Sequence, residues 1–206
     1  MIVYKYIDAK YSDDFANGKV RISPAHSFRA ADGFQDGRSD FNELKRKISV
    51  PEGKMTVNSK QNPLLKNFFT FVGEEEFEMT FIGDLTVIVD QALMCCFSTD
   101  RDDEIDRRMK EIFGAGAVFE ISDIALFGRM ISNEVFSKDV AFQQGSVQYS
   151  NEIGIGPAHF FPVDRLRKGQ AFLWQKEYRL IWSTDNPSEP FVINVPSLAT
   201  LIKRLK

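Results

Sequence analysis

Four short segments place polar side chains where strands could present them to a cleft. The most informative is Trp174-Gln175-Lys176-Glu177-Tyr178-Arg179-Leu180-Ile181-Trp182. Alternate residues of a strand face opposite ways. Tyr178, Leu180 and Trp182 therefore share a face that wants a core, and Glu177 and Arg179 share the other. A carboxylate two residues from a guanidinium, on a strand backed by aromatics, is one way to hold a charged group still. The same pair on an exposed edge strand would contribute little. The other three segments repeat the pattern. Tyr4 and Tyr6 share one face of a first strand with Lys5 on the other, Arg21 and Ser23 share a face of a second, and Met94, Cys96 and Ser98 share a face of a third.

Other chemistries find no support in the residue types. There are two histidines, His26 and His159, and no Gly-x-Ser-x-Gly elbow, His-Glu-x-x-His or Cys-x-x-Cys set. Ser98 has no identifiable base for nucleophilic work. The acidic loop around Asp32, Asp36 and Asp40 lacks the order of a calcium loop, so no metal site is expected. Residues 151–157 hold glycines without the Lys-Ser/Thr ending of a phosphate loop. The adjacent Cys95 and Cys96 would point opposite ways on a strand and cannot staple the fold, which fits reduced thiols in a cytoplasmic setting.

Composition bounds the partners. With 26 basic and 29 acidic residues the net charge is -3, which disfavours affinity built mainly on neutralising phosphates. The basic strips Lys45-Arg46-Lys47, Arg165-Arg167-Lys168 and Lys203-Arg204-Lys206 read as solvated surface. No apolar run approaches the roughly 20 residues of a membrane span, and the first ten residues hold no signal core, so no membrane association is expected. The 19 phenylalanines fall largely in strand-like runs, as expected of a dense β-rich core.

The elements that must position these groups follow from periodicity and breakers. Val3 to Ile7, Lys19 to Ser23, Phe68 to Val72, Phe77 to Ile82, Leu85 to Val89, Leu93 to Ser98, Val118 to Ile121, Ser146 to Tyr149, the Glu177 segment and Phe191 to Val195 are predicted strands. Ser12 is read as an N-cap for a helical turn that Asn17-Gly18 stops. Asp100 to Phe113 is the clearest helix, with Ile105, Met109, Ile112 and Phe113 on one stripe. Ser122 is read as the cap of a second helix, and Pro196 as the start of a final one striped by Leu198, Leu201, Ile202 and Leu205. A short helix is expected at Glu43 to Lys47, and a polar excursion from Pro51 to Pro63. The economical reading is a single α+β domain, 1–206, with 29–63 as a loop-rich insertion.

Taken in order, Tyr4-Lys5-Tyr6, Val20-Arg21-Ile22-Ser23, Cys96-Phe97-Ser98, Val147-Gln148-Tyr149 and Lys168 with Trp174 ahead of Glu177-Tyr178-Arg179 resemble a family of bacterial and phage domains. That family is in turn similar to the ADP-ribosyltransferase superfamily. The resemblance spans most of the chain, in motifs of three to six residues each. It implies a split β-sheet core with peripheral helices, NAD as substrate, and transfer of ADP-ribose to a macromolecular acceptor, protein or nucleic acid, in phage–host conflict. It implies Glu177 as the catalytic carboxylate, with Gln175 orienting the acceptor at Gln-x-Glu spacing. It puts Ser98 near the nicotinamide ribose, Tyr4 and Tyr6 along the cleft, Arg21 or Arg29 on pyrophosphate, and Arg179 beside the cofactor. The first strand lacks the superfamily's Arg or His, since Lys5 faces away from Tyr4 and Tyr6. The alternative from another class is a non-catalytic protein that grips a nucleotide, a nucleic acid or a host protein on the same fold.

Overall fold

The computed structural model describes residues 1–28, 45–49, 53–58, 76–81, 85–88, 92–136, 140–150, 154–155, 165–184 and 189–205. The expected strand at 68–72, all of 29–44 including Arg29, and most of the 151–157 connector lie outside them. The strands in chain order are β1 (Val3–Ile7), β2 (Lys19–Pro24), β3 (Lys45–Ser49), β4 (Gly53–Asn58), β5 (Glu76–Phe81), β6 (Leu85–Ile88), β7 (Ala92–Ser98), β8 (Ala117–Ile121), β9 (Phe142–Ser146), β10 (Gln148–Tyr149), β11 (Gly154–Ile155), β12 (Arg167–Lys168), β13 (Glu177–Ser183), β14 (Phe191–Asn194) and β15 (Ile202–Arg204). The α-helices are α1 (Ser12–Ala16), α2 (Asp103–Phe113) and α3 (Ile124–Val135). The architecture is mixed α and β around a mostly antiparallel sheet.

The chain divides into two compact units. One comprises Met1–Leu44, Val89–Asn151 and Arg165–Lys206, and the other Lys45–Ile88 and Glu152–Asp164. The second unit holds the sheet β11-β3-β6 and the antiparallel pair β4-β5. The expected helix at Glu43 to Lys47 is thus replaced over 45–49 by β3, and the expected excursion after Pro51 contains β4. Both gain ladder partners from residues far along the chain, which no local propensity announces.

The first unit is organised on β7. Along one side β13 pairs with it over its full length, from Glu177 opposite Ser98 to Ser183 opposite Ala92. On the other side two strands share it. β2 takes one end, with Ser23 opposite Met94, and β1 takes the other, with Tyr4 opposite Ser98. β1 then continues to β8 and β15, and β2 to β14, so the sheet forks at β7. At the fork the Cys96 carbonyl receives the Lys5 ammonium at 2.6 Å in place of a strand partner. That same ammonium lies 5.0 Å from the centre of the Phe97 ring.

One face of this sheet builds the core. Leu93, Cys95 and Phe97 of β7 and Tyr178, Leu180 and Trp182 of β13 pack with Phe119 and Ile121 of β8 and with Ile124, Phe127 and Ile131 of α3. Period-2 and helical patterns meet there, as the sequence predicts. Trp182 is fully buried between Phe136 and Phe142, and its indole donates to Ser132 Oγ at 2.8 Å. Gly128 lets α3 lie this close, because a Cβ there would come within 2.6 Å of Phe142. Gly18, at φ 83°, ends α1 in the left-handed region with Val195 O against the place a Cβ would take.

Several caps and ends differ from expectation. Asp102 and Asp123 are the N-caps of α2 and α3, through Ile105 N–H and through Ala125 and Leu126 N–H. Asp123 therefore displaces Ser122, whose backbone N–H instead donates to Leu201 O. Ser12 donates its hydroxyl to Ala9 O rather than capping. After Pro196 the chain makes a 3₁₀ helix to Leu201 and then β15, because the open edge of β8 recruits it. Among the described residues no helix is long and apolar enough to cross a membrane.

Candidate functional site

The polar face of the sheet, opposite the core, carries the site. Glu177, Ser98 and Tyr4 sit in one row across three adjacent strands, since Ser98 is the register partner of both others. Antiparallel partners direct their side chains to the same face. The three line a cleft of about 200 Å³, together with Tyr6, Gln175, Lys168, Cys96 and Phe28.

Strand β13 begins only at Glu177. Gln175 closes a 3₁₀ helix (Gln170–Gln175), and Lys176 turns the chain at φ 45° in the left-handed region. Ser98 secures this turn, its hydroxyl within hydrogen-bond reach of the carbonyls of Gln175 (2.9 Å) and Asp100 (2.8 Å). Thr99 N–H adds a bond to Lys176 O at 2.7 Å. Gln175 and Glu177 therefore do not share a face by strand alternation. They converge because one cation holds both: Lys168 Nζ donates to Gln175 Oε1 at 2.9 Å and to Glu177 Oε2 at 3.0 Å. Lys168 also rides 5.0 Å from the centre of the Phe172 ring. The parallel pair β10–β12 puts Tyr149 beside Lys168, and the Tyr149 hydroxyl accepts from Glu177 N–H at 2.7 Å.

Glu177 is thus a buried carboxylate with both oxygens engaged. Arg179 donates Nε to its Oε1 at 2.8 Å and Nη2 to its Oε2 at 3.4 Å. Burial works against its ionisation, but the Arg179 and Lys168 charges more than offset that and hold the carboxyl well below the usual carboxylate range. Burial, then the neighbouring Glu177 charge, push the Cys96 thiol up, so it stays protonated. Burial raises Tyr149 to about 12. Tyr6 is raised by burial and by the bond its hydroxyl donates to Asp106 at 2.8 Å.

A second cleft of about 700 Å³ opens between β1 and β2, in the fork. Arg21, Ser23, Lys10, Lys19 and Met94 line it. It shares Lys5, Tyr6, Phe28 and Cys96 with the smaller cleft.

Comparison with protein-family models, with curated proteins and with solved structures gave no match.

Of the residues singled out from sequence, Tyr4, Tyr6, Ser98, Gln175 and Glu177 line the smaller cleft, and Arg21 lines the larger. Arg179 lines neither. It is fully buried, with Nη1 bound to Arg165 O at 2.7 Å, and serves Glu177 from beneath rather than reaching a ligand. Lys168 corrects the reading of the 165–168 strip as solvated surface, being only 7% exposed. Lys168, Tyr149 and Cys96 are the site residues that sequence reasoning missed as such. The one signal for Lys168 was its place ahead of Trp174 and Glu177 in the ordered motifs, because a two-residue strand carries no periodicity.

Proposed function

We propose that the forked sheet binds NAD and that the protein transfers ADP-ribose to a macromolecular acceptor. The observation that carries the reading is the row Tyr4–Ser98–Glu177 across β1, β7 and β13, on the floor of a cleft that continues into the fork. The smaller cleft, at about 200 Å³, is below the size of sites that enclose a drug-sized ligand, and the larger, at about 700 Å³, is within it. A dinucleotide spans both, one ring in the smaller and the rest in the fork beside Arg21 and Lys5. Cleaving the bond between the ribose and nicotinamide develops oxocarbenium character at the ribose. A carboxylate kept anionic and immobile by Arg179 and Lys168 stabilises that charge without reorganising. Nicotinamide leaves with the bond's electron pair, and the acceptor's nucleophile bonds the same carbon and gives up its proton.

One observation favours a second reading, a protein that binds a nucleotide without consuming it. Glu177 is 5% exposed, and both its oxygens are already engaged. Labelled NAD incubated with the purified protein and a cell lysate separates the two. Label on a macromolecule that is lost in folded Glu177→Gln supports transfer, and NAD retained but intact supports binding alone. If wild type leaves NAD both intact and unbound, the nucleotide reading ends.

A further inference from the structure

Among the described residues that line the smaller cleft, one buried side-chain nitrogen has no hydrogen-bond partner. Gln175 is 5% exposed and lines the smaller cleft, yet its Nε2 makes no hydrogen bond. The orientation of this amide is not arbitrary. An ammonium only donates, so Lys168 Nζ at 2.9 Å requires the oxygen to face it and turns the NH₂ group elsewhere. Lys168 is itself held by Glu177 Oε2 and lies against the Phe172 ring, so the amide cannot flip without giving up a buried bond. A buried donor left without its bond has lost its hydration and gained nothing in return. Such groups are rare in folded proteins, and one that lines a cleft is a candidate ligand contact.

The surroundings specify what would complete it. The cleft walls are aromatic and apolar, with Tyr4, Tyr6, Phe28, Met109 and Phe113, and the volume of about 200 Å³ admits a single ring system. We propose that Gln175 Nε2 is the donor for a planar ring bearing an exocyclic carbonyl oxygen, a carboxamide ring being the simplest, and that Lys168 is a positioning residue that fixes the donor. The nitrogen is closed to solvent in the unliganded floor, so the ring's oxygen reaches it only as the side chains over it move aside. This deepens the nucleotide reading by naming what selects the ring, and it moves Gln175 from the acceptor side to the leaving-group side.

The test uses single rings, so that it stands or falls apart from NAD chemistry. Nicotinamide and 3-methylpyridine, which lacks the carbonyl, are titrated into the whole protein by calorimetry and ligand-observed NMR. Wild type should prefer nicotinamide by at least about tenfold, one hydrogen bond's worth. Assayed at about pH 8 to keep the new carboxyl ionised, Gln175→Glu keeps the shape and the bond to Lys168 but has no donor, and it should lose that preference. Lys168→Met, its fold checked by circular dichroism, should weaken the preference, because the amide is then free to turn its oxygen toward the ring. Equal binding of the two rings, no binding of either, or preference retained in Gln175→Glu overturns the proposal. Preference for nicotinamide in a protein that neither binds nor consumes NAD would keep the ring site and discard the nucleotide reading.

Discussion

Two sets of ion pairs in this molecule use the same chemistry and do opposite things. On α2, Glu104 meets Arg107 at 2.9 Å and Arg108 at 2.7 Å, and Arg107 also meets Glu111 at 2.6 Å. At the start of β13, Glu177 meets Arg179 at 2.8 Å and Lys168 at 3.0 Å. The distances are alike. The α2 side chains are about half exposed, whereas Arg179 is fully buried and Glu177 and Lys168 nearly so. Water screens the first set and competes for every partner, so those pairs dress a helix surface. The second set has given up its hydration, and each member depends on the others to offset that cost. Distance alone does not make a pair structural; loss of solvent does.

The comparison breaks most sharply at Glu177. Glu177→Gln leaves the Arg179 and Lys168 charges buried without their carboxylate and should cost about 3–5 kcal/mol in urea unfolding. A loss below about 1 kcal/mol would mean that water enters the floor and that the two sets are equivalent after all.

A smaller effect is expected on acidification. The Glu177 carboxyl titrates well below its ordinary value of 4.5 when folded. Below that value the unfolded chain takes up a proton there that the folded chain does not, so stability present at neutral pH falls as pH falls. Unfolding midpoints followed from neutral pH to about 3 should decline in wild type and decline less steeply in Glu177→Gln. Identical slopes would remove Glu177 from the acid response.

The smallest effect belongs to α2. Glu104→Gln removes a carboxylate whose pKa Arg108 and Arg107 lower at an exposed position, and the midpoint should stay within error of wild type. Thermal melts at low and high salt check it. A clear loss at low salt would show the surface network to be stronger than solvent exposure allows.

The parts legible in the chain are those where burial follows local pattern. β13's alternation put Tyr178, Leu180 and Trp182 in the core, and all three are there. β7's buried run and the turn at Gly18 follow the same logic, whereas of α2's expected stripe Ile105 is buried and Phe113 is exposed. Three features were not legible. The α-helix expected after Pro196 is a 3₁₀ turn and an edge strand, because pairing with β8 outweighs a leucine stripe. The 45–58 stretch forms strands through partners at 76–88. Gln175 and Glu177 meet through Lys168 rather than through strand alternation, since Lys176 reverses the backbone between them.

By itself the sequence determined which faces are apolar and which strands end in polar groups, because side-chain period and breaker residues act locally. Tertiary structure decided that β1 and β2 share β7 and leave a fork, and that Tyr4, Ser98 and Glu177 fall in one register row. It also decided that Lys168, on a strand of two residues, would be the cation inside the site. These depend on pairing between residues up to 94 positions apart, as in Tyr4 opposite Ser98, where register and desolvation are settled by the whole fold and not by any window of the chain.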